Sequence, residues 1–393
     1  MREVWVAGAV RTPIGRFGGG LSSLTAGQLG AEAARAAMAR AAVNPRDVDE
    51  VIFGCARQAG GGPNVARQVA HRAGVPREVA AYTVNMACGS GLKAIDLAWR
   101  AVRDGDAELM LAGGTESMSR VPYLLPGARW GYRMGHQSVV DAMYQDGFQC
   151  SISDLLMGET AEKLADQYHI PRAEQDEFAL RSQQRAGRAV AEGRLEAEIA
   201  PVRVQGKKGE DVIARDEHPR ADTTSEALGR LAPVFRPQGG TVTAGNSSGI
   251  TDGAAAMVVV SAERGKALGI QPMARITGIA AAGVDATVMG IAVVPAVRRL
   301  LERTSLPLSA FDLVEVNEAF AAQVLACDRE LRFDPERLNV NGGAIALGHP
   351  IGATGARITV TLLHEMARRR ARRGLATLCI SGGMGLAAAF EAA

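Results

Sequence analysis

No two cysteines of this 393-residue chain form a CxxC pair, and no group of Cys and His has zinc-ligand spacing. A structural zinc site and a dithiol redox motif are thereby excluded, and no metal is expected. The five cysteines, Cys55, Cys88, Cys150, Cys327 and Cys379, are odd in number and far apart, which reads as free thiols in a reducing compartment. No apolar run approaches a membrane span, and MREVWVAGAVRTPIG enters a strand-like stretch without the h-region and cleavage site of a signal peptide. The cytoplasm is the expected location, with no membrane partner. An excess of either charge is missing too. The formal net charge is +2, so no basic face for nucleic acid is implied. The run RRRARRG follows the helical stripe Ile358, Leu362, Met366 and ends in Gly374, which suits cations complementing a helix C-terminus.

What is present fits a soluble globular enzyme, with 47% apolar and 22% charged residues and length for two or three core-bearing units. The first and last thirds look alike. DEVIFG (Asp49 to Gly54) is followed by the loop NMACGSG, a helix, and LMLAGGTESM. DLVEVN (Asp312 to Asn317) is followed by NGGAIALGHPIGATGAR, its helix, and TLCISGGMGL. Strands alternating with helices imply an α/β fold of two similar βαβ-rich halves, with mainly parallel sheets and helices between and around them. Loops at the carboxyl ends of such strands bind ligands, and two similar halves bring their Gly-rich loops to one site. Residues 1–120 with about 241–270 read as the first half and 271–393 as the second. The charged, helix-rich stretch 121–240 reads as an inserted loop domain packed over the site. Within it, Pro171 is placed at a first helical position and VQGKKGEDVIARDEHPRADTT is a polar, basic segment.

Cys88 lies between small residues ahead of a helix whose stripe is Leu92, Ile95, Trp99 and Val102. Gly89 and Gly91 are expected to permit tight turns and leave room for a bulky group. The helix N-terminus is expected to favour the thiolate. His349 stands in a Gly-rich loop, Asn317 directly after a strand, and Cys379 at a strand end. A thiol that attacks a carbonyl, an imidazole that takes its proton, backbone amides that receive the oxyanion and a second thiol match carbon–carbon bond formation or cleavage beside a carbonyl. Simple acyl hydrolysis has no use for that second proton carrier.

From RTPIGRFGG to CISGGMG, through NMACGSG, GGTESMS, MGETAE, GTVTAGNSSG, DGAAA, NEAFAAQ and NGGAIALGHPIGATGAR, the chain resembles the thiolases. The resemblance implies acetyl-CoA acetyltransferase or 3-ketoacyl-CoA thiolase activity. Two acetyl-CoA would condense reversibly to acetoacetyl-CoA, or a 3-ketoacyl-CoA would be cleaved, by ping-pong transfer through Cys88. Coenzyme A is then co-substrate, with no permanent cofactor, and the assembly a homotetramer. His349 would activate Cys88 and Cys379 would exchange the second proton. Asn317 would hold a water that forms one oxyanion hole with His349, and the amides of Cys88 and Ser381 the other. Met157, Leu231, Phe235, Ala244, Ser248, Met289 and Phe320 match substrate contacts, and Arg220 a residue near the nucleotide end. Leu156 in place of His, Ser381 in place of a common Gly, Ala227 in place of a common Ser, and AVVPA in place of GPVPA depart from the pattern and leave the acyl group open. A degradative 3-ketoacyl-CoA or 3-oxoadipyl-CoA thiolase is the alternative. A remote one is a serine hydrolase at Ser247, since GNSSG satisfies G-x-S-x-G, although the Gly-rich, strand-like sequence after it is a poor match for the helix an elbow needs.

Overall fold

The structure is a computed structural model that describes residues 2–206 and 209–393. Lys207 and Lys208, inside the polar segment VQGKKGED, lie outside the described residues. Among the described residues the central sheet has ten strands, of which Gly15–Arg16 only pairs with the start of Thr251–Ser261; the other nine are β1 (Val4–Arg11), β2 (Glu50–Gly54), β3 (Ala80–Val84), β4 (Leu109–Ser117), β5 (Thr251–Ser261), β6 (Ala274–Gly283), β7 (Leu313–Val316), β8 (Arg373–Ile380) and β9 (Met384–Glu391). Their order is β7-β8-β9-β6-β1-β5-β4-β2-β3.

Two similar sets of strands meet in the middle of this order. In β1-β5-β4-β2-β3 every strand runs one way except β5, and in β6-β9-β8-β7 every strand runs one way except β9. A parallel bridge from Val314 to Leu338 stands where β3 stands in the first set. The two sets pair edge to edge through Trp5 with Arg275 and Val6 with Ala274, and the Met273 amide donates to the Val6 carbonyl at 2.8 Å, so the hydrogen-bonded path is continuous but thin there.

Strand β5 shows how side-chain alternation builds the layers. Ala255, Met257 and Val259 point into one apolar cluster, while Ala254, Ala256, Val258 and Val260 point into another. The first cluster also takes Leu92, Ile95 and Val102 of helix α1 (Ser90–Asp104) and Ile358, Leu362 and Met366 of helix α2 (Ile351–Arg369). Leu386 and Phe390 of β9 close it from the second set of strands. Both helices are therefore covered on two sides, which is why α2 carries Ala, Gly and Thr where a surface helix would carry charge. Other helices cover the outer faces: Ala26–Arg40 against the first set, Val293–Thr304 and Ala321–Leu331 against the second.

Residues 121–240 hold the helices Met157–Gln167 and Arg172–Ala191 and a small hairpin of Val202–Gly206 with Gly209–Ile213. Arg11, fully buried at the end of β1, ties this stretch to the centre. It donates to Glu198 at 2.5 Å and to both oxygens of Asp216 at 2.6 and 2.8 Å. Losing either carboxylate would leave the buried cation with one anion in place of two, and losing both would leave it uncompensated, the costly way to break such a group.

Two local expectations shift. Pro171 stands one residue before Arg172–Ala191, with extended backbone. Helix α2 ends at Arg369, with Arg370 in the left-handed region (φ 54°), so Gly374 does not end it and lies inside β8. Of the cations, Arg368 and Arg369 stand in the last turn and pair with Glu365 one turn earlier, while Arg372 and Arg373 lie beyond the helix and pair with Glu391.

Candidate active site

Cys88 follows β3 on a turn whose strain falls elsewhere than expected. The left-handed residue is Ala87 (φ 44°), not a glycine. The turn is pinned: the Ser90 hydroxyl donates to the Ala87 carbonyl at 2.6 Å and accepts from the Met86 amide at 2.9 Å. The Asn85 side chain accepts from the Ala87 amide at 3.0 Å. A non-glycine residue held at positive φ costs of order 1 kcal/mol or more and persists only when its surroundings over-determine it. Gly89 and Gly91 have a different use from the one expected. A Cβ on Gly89 would stand 2.4 Å from Ile380, and one on Gly91 2.8 Å from the Ala356 amide. Their lack of a side chain lets α1 pack against β8 and α2, rather than leaving space for a ligand.

The Cys88 thiol lines a cavity of about 250 Å³ together with Leu156, Met157, Ser248, His349 and Ser381. Phe235, Met289 and Phe320 also line it, with the two phenyl rings edge to face at 6.2 Å. Arg220, Leu231 and Ala244 lie on the exposed surface, outside this lining. Burial pushes the Cys88 thiol above its usual value, while the charge of Arg57 and the backbone amides of Ser381 and Cys88 pull it back. Desolvation outweighs the helix N-terminus, so the resting sulfur carries its proton and needs a base.

His349 is buried in that cavity wall at 7% exposure. Burial, then the charges of Arg357 and Arg57, pull its imidazole down to about 3 from the usual 6.5, so the ring is neutral. Its tautomer follows from hydrogen counting. The Asn317 amide nitrogen beside Nε2 can only donate, so Nδ1 bears the hydrogen and the Thr354 hydroxyl, 2.6 Å away, accepts it while donating its own to the Pro350 carbonyl at 3.0 Å. The proton is on Nδ1, and Nε2 carries the lone pair. That nitrogen faces the Asn317 amide nitrogen at 3.5 Å. Asn317 Oδ1 is buried with no protein partner, which leaves it free for a water or a substrate atom.

Cys379 is the penultimate residue of β8 and is 1% exposed. Burial, then the neighbouring sulfurs of Cys88 and Cys327, push its thiol well above the usual value. It therefore holds a proton at neutral pH. The turn after it uses Gly382 and Gly383 at positive φ (83° and 81°), and a Cβ on Gly383 would stand 2.3 Å from the Val284 carbonyl. This tight return places the Ser381 amide beside Cys88.

Ser247 does not fit a hydrolase. Its hydroxyl donates to the Thr243 carbonyl at 2.7 Å, and the chain runs on into strand β5 instead of a helix. The sequence reading missed three residues of the site. Thr354 was seen only as part of a glycine-rich helix start. Glu116, in GGTESM, accepts from the amides of Ala56, Arg57 and Gly352 at 3.0, 3.0 and 2.7 Å and so ties the loop after β2 to the start of α2. Arg57 carried no motif signal at all.

Two family models divide the chain between them: "Thiolase, N-terminal domain" over residues 4–263 and "Thiolase, C-terminal domain" over residues 270–392. The chain belongs to the thiolase family. It is 51% identical to an acetyl-CoA acetyltransferase of Syntrophomonas wolfei, over 100% of this chain and 99% of that one. It is 53% identical to an acetyl-CoA acetyltransferase of Pseudomonas aeruginosa over 98% of each chain. The crystal structure of the Bacillus anthracis acetyl-CoA acetyltransferase superposes with a TM-score of 0.98 at 46% identity, over 100% of this chain and 99% of that one.

For this thiolase the Thr354 contact makes a testable statement. Thr354→Val keeps the shape and removes the acceptor for Nδ1–H. Loss of a buried hydrogen bond costs about 1–3 kcal/mol, so kcat should fall about 10- to 100-fold with little change in KM, and Thr354→Ser should restore most of it. A lowered KM effect alone, with kcat intact, would show that Thr354 does not set the tautomer. Protonation of His349 would remove the base proposed below, and its lowered value moves that loss to acid pH. Activity should therefore not halve near 6.5, the point at which an ordinary imidazole titrates.

Proposed function

We propose that this thiolase transfers acyl groups between coenzyme A thioesters. It would condense two acetyl-CoA reversibly to acetoacetyl-CoA and coenzyme A, or cleave longer 3-ketoacyl-CoA. The observation that carries this reading is the convergence of Cys88, His349 and the Ser381 amide on one cavity, with Asn317 and Cys379 directly behind its wall.

In the cleavage direction His349 Nε2 takes the Cys88 proton as the sulfur bonds to the 3-keto carbon. The oxyanion is met by the water on Asn317 and by His349, now protonated. The C2–C3 bond then breaks, and its electron pair takes the proton that Cys379 has held, releasing acetyl-CoA and leaving an acyl group on Cys88. The thiol of coenzyme A gives its proton to Cys379 and attacks the acyl group, with the amides of Cys88 and Ser381 around the second oxyanion. The Cys88 sulfur leaves and recovers its proton from His349. Two protons move per cycle, which is the use for two thiols.

The proposed partition is the one read from sequence: 1–120 with about 241–270, an inserted loop domain at 121–240 that contacts coenzyme A, and 271–393. The exposed Arg220, Leu231 and Ala244 suit contacts with the outer part of coenzyme A beyond the cavity. A homotetramer is supported by the apolar side chains that residues 121–152 present to solvent, among them Trp130 at 87% and Met134 at 95% exposure. Among the described residues no helix is long and apolar enough to cross a membrane, which agrees with work in the cytoplasm.

The test is coenzyme A-dependent cleavage of acetoacetyl-CoA, a six- to ten-carbon 3-ketoacyl-CoA and 3-oxoadipyl-CoA. The highest kcat/KM on acetoacetyl-CoA would make this an acetyl-CoA acetyltransferase. A clear preference for a longer or dicarboxylic chain would make it degradative, with Leu156 part of a reshaped acyl pocket. Cleavage of none would overturn the reading.

A further inference from the structure

Arg57 follows β2 in the stretch CARQ, and its guanidinium forms part of the cavity wall that holds Cys88. The residue is 9% exposed. Its Nη1 donates to the Asp146 carbonyl at 2.9 Å, and the Phe148 ring lies 6.0 Å from the guanidinium carbon. Gly147 makes room for it, since a Cβ there would stand 1.9 Å from Arg57 Nη2. The Nε group is buried and has no hydrogen-bond partner. Among the described residues no carboxylate forms an ion pair with this side chain. Glu116 feels its charge, but the oxygens of Glu116 are occupied by three backbone amides and the Cys55 thiol.

A buried guanidinium is costly unless an anion or a full set of hydrogen bonds repays its lost water. The neighbours here do the opposite: Met118, Phe148 and Ile351 are apolar and share the same wall. The planar fork of Arg is suited to a carboxylate, and one clamped between a ring and a glycine is already ordered for it. The chain thus holds a rigid cation with donors to spare beside the nucleophile, and nothing of its own to neutralise it.

We propose that Arg57 is a specificity residue that receives a carboxylate on the acyl chain, so that the preferred substrates are 3-oxoacyl thioesters whose acyl group ends in a carboxylate. This rests on the thioester-handling reading given above and narrows its substrate class.

The direct test is binding, without turnover, to the Cys88→Ser protein. Succinyl-CoA and butyryl-CoA have the same chain length and differ in the terminal carboxylate. Succinyl-CoA should bind about tenfold tighter or more. Arg57→Gln in the same background should abolish the preference, and Arg57→Lys should keep part of it. Equal affinities in the Cys88→Ser protein would overturn the proposal with no change made at Arg57. A preference that survives Arg57→Gln would overturn it too. If Arg57→Gln does not fold, the Arg57→Lys ratio decides: an undiminished ratio sinks the assignment. Turnover separates the two readings. Absence of cleavage of every 3-ketoacyl-CoA by the wild type would sink the acyl-transfer reading, while the binding ratio still judges Arg57. If Arg57→Gln instead slows 3-oxoadipyl-CoA and 3-oxohexanoyl-CoA cleavage equally, Arg57 serves only the Cys88 sulfur and the proposal fails.

Discussion

Cys88→Ser is expected to lower acyl transfer by on the order of 10⁴-fold or more, with the melting temperature close to that of the wild type. The substitution changes one atom, and the fold does not lean on it. Cys88 lines the cavity, and its turn is held by Ser90, Asn85 and the strained Ala87, none of which needs sulfur. The proposed acyl transfer does need it. The site desolvates the nucleophile, so its charge appears only as His349 takes the proton. A hydroxyl in the same place starts several pKa units higher, and the neutral, deeply buried imidazole is a weak base that cannot make up the difference. Single-turnover acylation by acetyl-CoA, read by mass, together with a thermal melt, checks both halves of the statement. Acylation of the serine variant at the wild-type rate would remove Cys88 from its role. Loss of the melt transition would show that the turn, not the chemistry, depends on the thiol.

The residues proposed to carry chemistry stood out in the sequence because their signals are local. Cys88, His349, Asn317 and Cys379 each sit at a strand end or in a Gly-rich loop, and the repeated order of strand, loop and helix brings such loops together. The likeness of the first and last thirds survives as two strand sets that each contain one reversed strand, β5 and β9. What was not legible depends on tertiary contact. The sequence places the conformational freedom of the Cys88 turn on glycines, whereas the side chains of Asn85 and Ser90 force it onto Ala87 and the glycines serve helix packing. A helix N-terminus argues for a low Cys88 value, but only the packed cavity shows that burial wins. Thr354 and Glu116 act through hydrogen bonds to residues 5 and more than 200 positions away in the case of His349 and Gly352. Arg57 is a polar residue in an unremarked loop, and its meaning lies in the partner it lacks.

Gly114 in GGTESM should tolerate no side chain at all, and its reason is a close backbone approach beside the site. A Cβ there would stand 2.3 Å from the Gly352 carbonyl oxygen, 2.9 Å from Ala353 Cα and 3.0 Å from Gly91 Cα. Strand β4, helix α1 and helix α2 thus touch backbone to backbone at this position, and no rotamer change can relieve the clash. Overpacking of a core usually costs 1–3 kcal/mol, and here the obstacle is main chain, so Gly114→Ala should lose about 3 kcal/mol or more. The relief available is a shift of the start of α2. That start holds Gly352, whose amide donates to Glu116, and Thr354, which sets the His349 tautomer. Activity should therefore fall further than the folded fraction does. Gly229→Ala is the matched control: Gly229 ends the short helix Ser225–Gly229 with nothing within 4 Å of the added carbon, and the change should fall within about 1 kcal/mol of neutral. Urea midpoints and kcat measured for both variants decide the matter. A Gly114→Ala protein that unfolds at the wild-type urea concentration would mean that the two helices are free to separate, and the rigid placement of His349 against Cys88 would lose its structural basis.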